Sequence, residues 1–270
     1  MLMKILAVGD PHGDIEKIKK IPLSSLDLIL LTGDIGKADL ARKRHFENFE
    51  RKIKGLKELE YDSKYRKDVH MEIHNSTLQI LRHLSKFAPV YTIQGNVGIP
   101  TLSRVRKDNE KYGLSLTSTY EQMKLMKGVN LIKNRLRILK GIRIGFLEYF
   151  VDTCWVREFK PPEYKKSMKK AKKETDKAKR VLKRFKDIDI LICHQPPYGI
   201  LDKVTWKEAP RSYQGKHAGS KVILDFVKKN QPKYVFCGHI HEGEGRRKIG
   251  KTEVHNLGIC GYKLIEIQNP

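Results

Sequence analysis

Apolar residues along this chain fall into short runs that stop abruptly at turn-forming or polar residues. Strand-like runs appear at "KILAVGD" (4–10), "LDLILLTGD" (26–34), "PVYTIQGN" (89–96), "IRIGFLEYF" (142–150), "IDILICHQPP" (188–197) and "YVFCGHIH" (234–241), with a final pair around "TEVHNLG" and "YKLIEIQ". Most are bounded by Gly, Asn, Asp or Pro, which punctuate strands. Helical patterns lie between them: a short one after Asp14, a long polar stretch from about Lys37 to Lys86, a basic segment at 165–187, and "SKVILDFVKKN" (220–230). In the basic segment Met168, Ala171, Thr175, Ala178, Leu182 and Phe185 alternate spacings of three and four, which predicts one amphipathic helix with a narrow packing seam. No internal repeat and no Pro- or Gly-rich linker interrupts the alternation, so the pattern predicts one α/β domain over residues 1–270, with helical insertions.

Length and composition narrow the class. A chain of 270 residues with 39% hydrophobic content can bury one substantial core. No apolar run approaches the ~20 residues a membrane helix needs, and "MLMKILAVGD" carries no signal-peptide pattern, which predicts a cytoplasmic protein with no membrane partner. Cys154, Cys193, Cys237 and Cys260 form no C-x-x-C pair, which argues against a cysteine metal site or a disulfide framework. The charge is far from average: 55 Lys plus Arg against 31 Asp plus Glu leaves +24, a field that attracts phosphate-rich partners. The helix at 165–186 concentrates part of it. Two readings stand side by side: a solvated, Lys-rich face of the kind thermophiles accumulate, or a contact for nucleic acid or another anionic surface.

The candidate chemistry lies at the ends of the runs. The first ends in Asp10-Pro11-His12, the second in Gly33-Asp34, the third in Gly95-Asn96, the fifth in His194, and the sixth in Gly238-His239-x-His241. Taken singly, each is better read as a turn or cap residue. Together they place a metal-capable side chain at the same end of five strands, and in an α/β sheet the carboxyl ends of the strands face a common crevice. Carboxylate, imidazole and amide donors suit Mn²⁺ above all, with Fe²⁺ or Zn²⁺ as alternatives, and seven candidates are too many for one tetrahedral centre. Two ions roughly 3.5 to 4 Å apart can share a carboxylate, acidify a bridging water and clamp a phosphoryl group, so phosphoester hydrolysis by a metal-bridging hydroxide is the leading chemistry.

In this order, D-x-H, G-D, G-N, H and G-H-x-H resemble the calcineurin-like metallophosphoesterases, over nearly the whole chain. "HQPPYGILDKV" followed by "GKHAGSKVILDFVKKNQPKYVFCGHIHE" looks like the archaeal and bacterial branch of small phosphodiesterase-related proteins. The resemblance implies a four-layer α-β-β-α sandwich of two mixed sheets with outer helices. It also implies that Asp10, His12, Asp34 and His241 hold one metal while Asp34, Asn96, His194 and His239 hold the other, with Asp34 bridging. The match fails after Asn96, where many relatives carry a proton-donating His and then an orienting acid; here those positions are Val97 and Gly98. His217 in "GKHAGS" is the candidate replacement acid, against a role in capping or orienting the helix near Ser220. A metal-dependent nuclease and a noncatalytic metal-binding scaffold remain alternative readings. Trp155, Phe159 and Tyr164 read as loop packing in preference to a base-stacking surface.

Overall fold

The computed structural model describes residues 2–207 and 209–268. In chain order, the first half contains β1 (Leu2–Val8), α1 (Ile15–Lys19), β2 (Leu28–Leu31), α2 (Asp39–Ile53), α3 (Ser63–Leu84), β3 (Val90–Thr92), α4 (Leu102–Tyr112), α5 (Thr119–Leu125) and β4 (Val129–Leu131). The second half contains β5 (Arg135–Leu139), β6 (Ile142–Leu147), α6 (Thr153–Phe159), α7 (Tyr164–Leu182), β7 (Ile190–Cys193), α8 (Lys221–Asn230), β8 (Tyr234–Cys237), β9 (Gly245–Ile249), β10 (Thr252–Asn256) and β11 (Tyr262–Gln268).

The strands form two sheets, in the orders β11-β1-β2-β3-β4 and β5-β6-β7-β8-β10-β9. Both are mixed. In the first, β1 through β4 pair in parallel and β11 adds antiparallel to β1; in the second, β6, β7, β8 and β10 run parallel between antiparallel edges β5 and β9. Alternation along each strand then decides the layering, because successive side chains point to opposite faces. Met3, Ile5 and Ala7 of β1 meet Ile144 and Phe146 of β6 and Ile190 and Ile192 of β7 in a core between the sheets. Leu6 and Val8 point the other way, under Ile18 of α1 and Leu78, Leu81 and Leu84 of α3. On the far side, Leu191, Cys193 and Val235 pack beneath Val181 of α7 and Ile223 and Val227 of α8. The result is the expected four-layer α-β-β-α sandwich.

Several expectations are refined. The polar stretch 37–86 resolves into α2 and α3, the latter capped by Asp62, whose carboxylate accepts from the Tyr65 N–H at 2.7 Å. The basic helix stops at Leu182, short of 186: Phe185 turns back into the core, where Gly145 of β6 leaves it room, since a Cβ there would lie 2.7 Å from its ring. Asp152 ties α6 to α8, with one oxygen accepting from the Cys154 N–H and the other from Ser220 Oγ and the Val222 N–H. Among the described residues no helix is long and apolar enough to cross a membrane.

Candidate metal centre

Loops leaving β1, β2 and β3 of one sheet meet loops leaving β7 and β8 of the other, so the crevice lies where the two sheets abut. Asp10 is fully buried at its floor, with Oδ1 accepting from Thr32 Oγ1 at 2.6 Å and Oδ2 from the His239 N–H at 2.7 Å. His12 and His241 approach edge to face with Nε2 atoms 3.2 Å apart, and His241 Nε2 lies 3.3 Å from Asp10 Oδ2. Asp34 sits between the two halves, 3.9 Å from His12 Nε2 and 3.5 Å from His194 Nε2, while its other oxygen accepts from the Val97 N–H at 2.8 Å. Asn96 Oδ1 lies 2.6 Å from His194 Nε2 and 2.8 Å from His239 Nδ1. All seven sequence-predicted ligands are thus brought together. Within the group, Asp10, His12 and His241, and likewise Asp10, Asp34 and His194, present donor atoms within 4.8 Å of one another.

Backbone and side chains are held in costly arrangements here. His12, Asp34 and His239 all have positive φ, at 44°, 35° and 65°, a region that costs a non-glycine residue of order 1–3 kcal/mol and that clusters at functional sites. The glycines before Asn96 and His239 are required by close approach. A Cβ on Gly95 would collide with Asp34 Oδ1 and lie 2.7 Å from His194 Cε1, and one on Gly238 would lie 2.5 Å from both Asp10 oxygens.

Electrostatics prepare the group for a cation. Burial pushes the His12 imidazole down to about 3 against the pull of Asp10, and burial with the nearby His194 pushes His239 well below its ordinary value. Both therefore keep a free lone pair at neutral pH. Burial raises the Asp10 carboxyl, but His194, His241 and His12 outweigh it and hold Asp10 well below the usual carboxylate range. Asp34 moves up, because burial and the charge of Asp10 exceed the help from His194. His194 Nδ1 faces the Thr32 carbonyl at 3.0 Å, which can only accept, so a neutral imidazole there turns its Nε2 lone pair toward the oxygens of Asn96 and Asp34. Electron pairs facing one another in a buried pocket are stabilised by a cation between them, so the donor set fits divalent ions.

His217 does not join this group. Its Nδ1 bonds Asp202 Oδ1 at 2.7 Å and its ring packs on Tyr198, outside the lining of the cleft over the centre. Asp202 also accepts from the Gly199 and Gly219 N–H groups, so the pair knits the loop before α8, whose cap is Ser220 itself. Val97 lines the cleft and packs against Ala38, Val69 and Ile73. Trp155 stacks on Phe159, 4.9 Å between centroids, in a cluster with Val204, Ala218 and Ile240, and both also line the cleft; Tyr164 is exposed at the start of α7. Sequence reasoning missed Thr32, which orients both Asp10 and His194, and Tyr149, whose ring packs on His194 and His239. It also missed Arg42, with Nη2 3.5 Å from His12 Nδ1. Only Thr32 had a signal, its place beside the Gly33-Asp34 motif.

Residues 3–243 match the family described as calcineurin-like phosphoesterase. Metallophosphoesterase domain-containing protein 1 of Homo sapiens is 39% identical over 84 residues, 31% of this chain and 24% of that protein. UPF0046 protein T07D4.2 of Caenorhabditis elegans is 35% identical over 78 residues, 28% of this chain and 18% of that protein, so the matched segment spans a quarter or less of either relative. Among solved structures, phosphopantetheinyl hydrolase from Mycobacterium tuberculosis superposes with a TM-score of 0.55 over 97% of this chain and 95% of that one, at 12% identity. That likeness is one of fold.

Proposed function

The chain belongs to the calcineurin-like phosphoesterase family, and from that premise we propose that it hydrolyses phosphodiesters or phosphomonoesters at a two-metal centre. Asp10, His12, Asp34 and His241 would hold one ion and Asp34, Asn96, His194 and His239 the other, with Mn²⁺ the best match to this donor set and Fe²⁺ or Zn²⁺ next. The carrying observation is the convergence on Asn96 Oδ1 of two imidazole nitrogens, at 2.6 and 2.8 Å, beside a carboxylate shared between both halves. Ions bound there supply Lewis-acid polarisation of a phosphoryl oxygen and a water activated at neutral pH.

The protein's own groups do the rest. Thr32 and the His239 amide fix Asp10, the Val97 amide fixes Asp34, and the Thr32 carbonyl sets the tautomer of His194, so the donors are ordered before an ion arrives. Tyr149 shields His194 and His239 from one side, and Arg42 brings a positive charge beside His12, where an anionic substrate would come in. A nuclease reading draws on the Lys-rich outer face of α7 and shares this chemistry; it differs in substrate alone.

Stripped protein reloaded with Mn²⁺ is expected to take up about two ions per chain and to hydrolyse bis(p-nitrophenyl) phosphate only when loaded. Uptake near zero, or full uptake without turnover of any phosphoester, would leave a binding scaffold in place of an enzyme.

A further inference from the structure

Tyr149 packs on the donor cluster and carries a hydroxyl that no other group among the described residues uses. The segment around it is tied to two of the ligand loops. The Tyr149 N–H donates to the Gln94 carbonyl at 3.0 Å, two residues before Asn96, and the carbonyl of the next residue, Phe150, accepts from Gln195 Nε2 at 2.7 Å, one residue after His194. On its other side Glu148 exchanges hydrogen bonds of 2.7 and 3.0 Å with the Asn134 side chain. The Tyr149 ring meets His194 in a T shape, 5.7 Å between centroids at 85°, and His239 at a tilt, 5.3 Å at 48°. A phenylalanine would pack in the same way. The hydroxyl is what the packing leaves over. Among the described residues it makes no hydrogen bond, and it is not one of the polar atoms shut away from solvent without a partner, so it opens on the cleft that Tyr149 lines.

The other phenols of the cleft, and the imidazole on its α2 wall, are placed differently. Tyr65 donates its hydroxyl to the Leu40 carbonyl at 2.6 Å. Tyr213 is wedged among Phe49, Trp155 and Phe159; Tyr61 lies against Tyr65 with Arg66 over its ring; His45 stands beside Phe46. Among the described residues none of these rings packs on a candidate ligand, whereas Tyr149 packs on two. A phenol has an ordinary pKa of about 10, so at neutral pH it offers a proton in a hydrogen bond without adding charge. Phosphoryl transfer spreads negative charge over the oxygens that stay on phosphorus, and a donor fixed beforehand stabilises that charge with no reorganisation. The bonds to Gln94 and Gln195 supply that fixity, because they belong to the loops that carry Asn96 and His194.

We propose that the Tyr149 hydroxyl is a catalytic donor that hydrogen-bonds a nonbridging phosphoryl oxygen of the substrate, on the Asn96, His194 and His239 side of the centre; this rests on the two-metal reading above. The proton stays on the phenol throughout, and no bond to the tyrosine is made or broken.

Tyr149→Phe removes the hydroxyl and keeps the ring. The variant is expected to melt with wild type and to take up the same Mn²⁺, while kcat for bis(p-nitrophenyl) phosphate falls about 10²-fold, the size of one lost oxyanion donor. Across aryl phosphodiesters of rising leaving-group pKa the loss is expected to stay constant, because the hydroxyl meets an oxygen that does not leave. Calorimetry of the Mn²⁺-loaded protein with orthovanadate, which adopts the five-coordinate geometry of the transferring group, gives a readout without turnover. Its Kd is expected to rise about tenfold or more in Tyr149→Phe. An unchanged kcat and vanadate Kd would overturn the assignment. So would a loss that grows with leaving-group pKa, which would make the phenol an acid for the leaving group, or a loss of Mn²⁺ uptake, which would make it a support for the ligands. Failure of wild type to take up Mn²⁺ or to turn over any ester would count against the two-metal reading. The vanadate affinities of the two proteins would still decide on the hydroxyl, and a wild type that binds no vanadate would overturn it.

Discussion

Asp34 carries two opposed demands. Its burial raises its pKa, so an unpaired carboxylate at this depth is a liability to the fold, yet its Oδ2 lies between both halves of the donor cluster while Oδ1 accepts from the Val97 N–H. Asp34→Asn keeps the acceptor for the Val97 N–H and removes the charge. The metal-free variant is therefore expected to melt no lower than wild type, while metal affinity and metal-dependent turnover fall by more than about 10²-fold. A variant that melts lower and still turns over would make Asp34 a structural turn residue. His217 is oriented through Nδ1 by Asp202 and does not join the donor cluster, a placement that only the packed structure shows.

At the scale of elements, α7 has a buried seam of Ala171, Thr175, Ala178, Val181 and Leu182, and an outer face on which Lys166, Lys169, Lys170 and Lys173 border a shallow depression. Among the described residues, only Glu163 and Glu174 pair with lysines of that face. If this face holds nucleic acid, binding of an oligonucleotide falls steeply with salt, and changing these four lysines to glutamate flattens the slope by about 0.9 for each phosphate no longer neutralised. Turnover of a small phosphoester is expected to stay unchanged, because α7 lies outside the cleft lining. Equal oligonucleotide binding by both proteins at low salt would return the face to a solvated one. Among the elements that escaped the hydrophobic pattern, β5 and β9 are edge strands with mostly exposed residues and α4 buries only Val105, whereas α6 buries Cys154, Val156 and Phe159 but is too short to show a helical period. Periodicity reports burial, so an element held by backbone pairing at a sheet edge leaves almost no trace in it.

For the molecule as a whole, histidines outside the candidate metal centre add to the response to acid that His12 and His239 give within it. His70, His74, His83 and His255 all lie below the ordinary 6.5, in each case first because burial disfavours the charged ring; like-sign neighbours push the same way, and Glu253 opposes at His255. A depressed folded-state pKa means that below about pH 6.5 the unfolded chain binds more protons than the folded one, so stability is lost as pH falls through that window. The Tm of the metal-free protein is expected to drop between pH 7.5 and 5.5 and to keep dropping at raised salt, which screens the self-repulsion of the +24 charge but not the burial. A flat or rising Tm would contradict this. The buried strands, the class of the fold and the seven candidate ligands were readable from the chain because local alternation dictates strands and because these candidates stand where their strands end. Tertiary structure alone decided the rest. That two sheets share the centre, that Thr32, Tyr149 and Arg42 touch its histidines and carboxylate, and that His217 pairs with Asp202 all depend on contacts between segments far apart in sequence, and such contacts form only when the layers pack.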